Sequence, residues 1–202
     1  MIPTPFESVS ETQRESLCES LSASSSLVDV AFAVCTALER SGITAVLTGG
    51  SAATYYAPDA YQSSDIDFVI TFTGEASKGE RALEGLGYRR RSDFYVHPAA
   101  AFPLEFPPGP LMIGSDVVRS WGTETRPAER LHVLTPTDCC RDRLAALLYW
   151  NDFSGLEQAL SVCRAQWRRI DLAAIRDWCE RERQGEKFEL FEKRLARLGL
   201  VA

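Results

Sequence analysis

The chain has 202 residues, of which 45% are hydrophobic and 25% charged, enough to bury a core in one α/β domain with a smaller helical part. A net charge of −6 argues against an extended nucleic-acid surface, which needs clustered Lys and Arg. No stretch approaches the roughly 20 apolar residues of a membrane span, and the polar, acidic start lacks a signal-type apolar run, so no membrane partner and a cytoplasmic location are expected. Six cysteines without CxxC spacing and only two histidines (His97 and His132) predict reduced core thiols rather than a zinc site.

Residues 1–24 are rich in Ser, Glu and Thr and read as an arm, with Leu17 and Leu21 able to dock as one helical turn. Leu27, Val30, Ala31, Val34 and Leu38 recur at helical spacing up to Gly42. Ile43 to Leu47 is a short β-type run, after which Gly49 and Gly50 permit a sharp turn into the alanine-containing stretch that follows. The unpaired N–H groups at the start of a helix there, with the Ser51 hydroxyl, would suit a phosphate.

The chain becomes extended again from Asp65 to Ile70. Side chains alternate across a strand, so Asp65 and Asp67 share one face while Ile66 and Phe68 take the other. Two close carboxylates repel unless a cation lies between them, and hard oxygen ligands combined with substrate phosphates describe a Mg²⁺ or Mn²⁺ site.

Together Gly50, Ser51, Ser64, Asp65, Ile66 and Asp67 resemble the signature of the nucleotidyltransferase superfamily that includes polymerase beta; the two-glycine form GGSAA is most similar to minimal and antitoxin-associated bacterial members. The resemblance implies a mixed β-sheet flanked by helices, in which Gly49, Gly50, Ser51 and Ser64 contact a nucleoside triphosphate, ATP being the first candidate, and Asp65 and Asp67 bind divalent metal. It also implies a third carboxylate from a later neighbouring strand. Glu105, alone charged within Phe102 to Phe106, is the candidate, although the family more often has aspartate there.

Beyond the motif, a helix over Gly79 to Leu86 and extended runs near Tyr88–Arg91, Phe94–His97 and Phe102–Phe106 are predicted. Pro107, Pro108 and Pro110 end the last of these, and Leu131 to Leu134 reads as a final edge strand. Arg89 to Arg91 form a short basic run suited to an exposed strand.

Thr135, Pro136 and Asp138 form a helix-start signature, and from there to residue 202 the pattern predicts a C-terminal helical bundle. The run TPTDCCRDRLAALLYWND is similar to a segment that follows the catalytic domain in uncharacterised nucleotidyltransferase-like proteins. Arg141 and Arg143 flank its apolar face, suited to pairing with Asp138 and Asp142 or to leaning toward a triphosphate.

The sequence thus divides into an arm (1–24), a nucleotidyltransferase-fold domain (25–134) and a helical domain (135–202). The expected activity is metal-dependent transfer of a nucleoside monophosphate from NTP to an acceptor hydroxyl, on a small molecule or protein rather than a long nucleic acid. The alternative is a weakly active or inactive binding protein, antitoxin-like or regulatory, that engages a partner protein through its C-terminal helices. A serine hydrolase is disfavoured, since neither a nucleophile elbow nor a histidine partner is evident.

Overall fold

The computed structural model describes residues 21–73 and 76–200. The arm lies outside the described residues up to position 20, so Leu17 is not placed, while Leu21 is buried in the core. Helix α1 (Leu27–Arg40) starts at a capping box in which Ser26 and Asp29 satisfy each other's backbone N–H groups. It buries the predicted stripe against strand β1 (Ile43–Leu47). Helix α2 (Gly49–Tyr56) follows at once, and strand β2 (Ile66–Thr73) runs antiparallel to β1.

After α3 (Ala76–Gly85) come β3 (Arg89–Arg91), β4 (Phe94–Val96) and β5 (Leu104–Glu105), which extend the sheet on the far side of β2. Strands β6 (Met112–Ile113) and β7 (Asp116–Val117) form a separate hairpin, and β8 (Gly122–Arg126) pairs antiparallel with β9 (Glu129–Val133). The seven-stranded order is β3-β4-β5-β2-β1-β9-β8, a mixed sheet in an α+β fold. The expected edge strand at Leu131 to Leu134 is corrected here: β9 lies inside the sheet, parallel to β1, and β8 is the edge. The polar sequence GTETR of β8 conceals a strand that is only partly covered, and therefore carries little apolar signal.

Thr135 caps α4 (Pro136–Trp150) through its side-chain oxygen, which accepts from the Asp138 N–H, with Pro136 at the first helical position. Helices α5 (Phe153–Gln166), α6 (Leu172–Arg181) and α7 (Gly185–Arg197) follow; α4 packs on α5 and α6, and α7 on α5 and α6. Helices α4 and α5 also pack directly on α2, so the buried side chains form one core from sheet to terminal helices. Cys35, Cys139, Cys140, Cys163 and Cys179 are buried free thiols, as the composition predicted. No helix among the described residues is long and apolar enough to cross a membrane.

Candidate metal centre

Three carboxylates converge where β2 meets β5. The two strands are parallel with Ile66 opposite Leu104 and Asp67 opposite Glu105, so alternation places Asp65, Asp67 and Glu105 on one face and the apolar residues on the other. One oxygen from each acid lies within 4.8 Å of the others, and all three residues are half-buried. Ile66 and Leu104 are fully buried on the opposite face, which fixes the register that brings the acids together.

The turn before α2 is stitched to the aspartate strand. Thr48 donates its N–H to the Asp67 carbonyl at 3.0 Å, and the Asp67 N–H donates to Ser51 Oγ at 3.1 Å. Gly49 stands at φ +65°, where L side chains are strained, and a Cβ built on it would fall on the Asp67 carboxylate. Its absence allows the helix start to touch the acid. Thr48 makes no side-chain cap, so the first N–H groups of α2 are left to some other acceptor.

One of the expected phosphate contacts, Ser51, is corrected. Ser51 is fully buried, and its hydroxyl proton goes to the Thr48 carbonyl at 2.7 Å, so this side chain positions Asp67 instead of donating to a ligand. Ser64 is exposed and makes no hydrogen bond among the described residues. Its neighbour Ser63 is the serine that matters: it is 4% exposed, donates its N–H to Thr54 Oγ1 at 2.9 Å and its Oγ–H to Asp65 Oδ1 at 3.1 Å. The Tyr61 hydroxyl lies over Gly50, 3.1 Å from where a Cβ would stand. No spacing rule distinguishes Ser63 from Ser64 in the sequence; only the return of this loop onto α2 does.

Burial, then the nearby charges of Asp65 and Glu105, push the Asp67 carboxyl up to about 7, while Arg143 opposes the rise. Arg143 belongs to α4. Its Nε and Nη2 donate to Asp142 Oδ2 at 2.9 and 2.7 Å, and its Nη1 to Gln158 Oε1 at 3.3 Å. Arg141 instead pairs with Asp138 at 2.8 Å and with Asp116. Both arginines therefore make acid pairs, and Arg143 alone adds a charge within electrostatic reach of the carboxylates.

Three carboxylates crowded on one face, one of them held against ionisation, can hold a metal ion. The set offers carboxylate oxygens as its ligands. Comparison with protein-family models, curated proteins and solved structures finds no match to this chain.

Proposed function

We propose that this protein is a metal-dependent nucleotidyltransferase that moves a nucleoside monophosphate from an NTP, ATP first among them, to an acceptor hydroxyl and releases pyrophosphate. The observation that carries the reading is the meeting of Asp65, Asp67 and Glu105 beside an uncapped helix start that presses on Asp67. The all-oxygen donor set suits Mg²⁺ or Mn²⁺. Bound there, divalent ions supply charge neutralisation of the triphosphate and of the attacking and leaving oxygens.

The chain's own groups have separable tasks in this scheme. The N–H groups of Gly49 and Gly50, at the positive end of α2, would hold the triphosphate. Ser63 keeps Asp65 turned inward, and the backbone bonds of Asp67 to Thr48 and Ser51 fix its distance from that helix start. Glu105, one strand further out and opposite Asp67, would hold the metal that activates the acceptor oxygen. A bond forms from the acceptor oxygen to the α-phosphorus as the bond from that phosphorus to the pyrophosphate oxygen breaks, and the proton of the acceptor hydroxyl passes to solvent water.

Incubation with Mg²⁺ or Mn²⁺, each labelled NTP and cell extract should yield a labelled product; Glu105→Gln should depress turnover strongly while leaving ATP affinity nearly unchanged. Equal transfer by wild type and Glu105→Gln would remove Glu105 from the site. A second reading, a nucleotide-binding regulatory or antitoxin-like protein, draws support from Trp150 and Phe153, which are 75% and 58% exposed where α4 meets α5 and would suit a partner protein on the C-terminal helices. Absence of a labelled product with all four nucleotides, together with an intact ATP-dependent thermal shift, would select it.

A further inference from the structure

The catalytic face of the sheet continues past Glu105. Glu105 pairs with Phe94 on β4, and Phe94 pairs with Arg91 on β3. Directly paired residues on neighbouring strands point to the same face, so Asp67, Glu105, Phe94 and Arg91 make a row across four strands in register. Neighbouring strands lie about 5 Å apart, which sets Arg91 about 10 Å from Glu105 with the Phe94 ring between them.

Exposure rises along this row. Asp67 and Glu105 are half-buried, Phe94 is 39% exposed and Arg91 is exposed. Tyr95, next to Phe94, turns the other way and packs edge-on against Phe106 at 5.6 Å, so the core accounts for Tyr95 but not for Phe94. Arg89 donates to the carbonyls of Glu84 and Tyr88, and Arg90 to that of Ser92. Arg91 makes no hydrogen bond or ion pair among the described residues.

We propose that Phe94 and Arg91 form the acceptor subsite and that the acceptor is a nucleotide, its hydroxyl at Glu105, its base on the Phe94 ring and its phosphate on the Arg91 guanidinium. This rests on the nucleotidyltransferase reading and names its acceptor class. A planar base stacks on an aromatic ring whatever its identity, and a guanidinium fork matches phosphate oxygens. The subsite is short, and the chain as a whole is acidic at −6, so the acceptor is a free nucleotide or the terminal nucleotide of a short strand rather than a long duplex.

The test uses the whole protein with Mg²⁺ and an ATP analogue blocked between the α- and β-phosphates, so that the donor site is filled. Binding of 2-aminopurine ribonucleoside 5′-monophosphate, and of a single-stranded trinucleotide ending in the same base, is followed by fluorescence quenching in wild type, Phe94→Ala, Phe94→Trp and Arg91→Glu. Wild type and Phe94→Trp should bind one or both probes, and Phe94→Ala and Arg91→Glu should weaken that binding about tenfold. The thermal shift from the analogue should be the same in all four proteins, since none of the changes touches the donor side. The mononucleotide arm identifies a free nucleotide acceptor; binding of the trinucleotide alone identifies a strand end.

An analogue shift without probe binding, or probe affinities within twofold in all four proteins, would overturn the acceptor subsite and leave the transferase reading standing. Probe binding that depends on Phe94 and Arg91, with no analogue shift in any protein, would uphold the nucleotide subsite and overturn the transferase reading.

Discussion

Two clusters of acids on this chain are treated in opposite ways. At the β2–β5 junction, Asp65, Asp67 and Glu105 crowd together, and burial and mutual repulsion push the Asp67 carboxyl up to about 7. Where the β6–β7 hairpin meets α4 and α6, Asp116 accepts from Arg141 and from Arg181 at 2.6 Å, and Glu182 accepts from Ser115 N–H at 2.8 Å, Ser115 Oγ at 2.6 Å and the Tyr149 hydroxyl at 2.5 Å. Against a desolvation cost, those hydrogen bonds hold Glu182 down at about 2. Acids given several donors from the chain lock elements together; acids that mainly face one another can take a cation from outside.

The largest expected effect tests that distinction directly. Replacing Asp65 and Asp67 together by asparagine should remove the metal-dependent rise in melting temperature with ATP and lower nucleotide transfer by at least about a hundredfold. The metal-free melting temperature should hold or rise, because two repelling charges are gone. A double variant that keeps the wild-type shift would refute the metal assignment.

Gly49→Ala comes next. The left-handed backbone alone costs about 1–2 kcal/mol, and the added methyl lands on the Asp67 carboxylate, so stability and the metal-dependent shift should fall together. Gly185→Ala, at a position with open space and no such φ, should change stability by less than about 0.5 kcal/mol. In the paired cluster, Arg141→Gln leaves Asp116 and Asp138 short of a partner and should cost about 2–3 kcal/mol in urea unfolding. The metal-dependent ATP shift should remain, since this cluster belongs to the scaffold; its loss would mean that the two regions are coupled.

The difference between the clusters also explains what the sequence disclosed. Alternation of Asp65 and Asp67 about Ile66 is local, and Glu105 stands out because its neighbours are apolar, so all three acids are legible from short windows. Helix α1, strand β1 and the start of α4 are equally local, each carried by a stripe or a cap. Long-range returns are not legible. The hydroxyl of Ser51 turns inward because β2 comes back to meet it, and Ser63, not Ser64, reaches Asp65 because its own N–H is tied to Thr54. Strand β8 and the β6–β7 hairpin are short and polar or isolated, and their stability comes from partners distant in the chain, such as Glu182 for Ser115.

The smallest effect is one of sign, and it reads both clusters in one titration. In the unfolded chain Asp67 releases its proton near the ordinary 3.8, whereas the folded protein keeps it to about 7. Between those values the native state binds more protons, so the stability from this group is present below about 4 and is lost as pH rises through 7. Glu182 runs the other way: its ordinary value is 4.5 and its folded value about 2, so its contribution is present above 4.5 and lost as pH falls toward 2. The windows hardly overlap. With a chelator present, the melting temperature of wild type should therefore drop relative to Asp67→Asn from pH 5 to pH 8, while Glu182→Gln should lie below wild type by a constant offset across that range and converge on it only below pH 4.5. Adding Mg²⁺ at pH 8 should raise wild type and leave Asp67→Asn almost unmoved, because the ionised carboxylate that was a burden without the ion becomes its ligand. Parallel curves for wild type and Asp67→Asn between pH 5 and 8 would show that the carboxylates are relieved by water rather than crowded, and that the contrast between the two clusters is one of shape and not of charge.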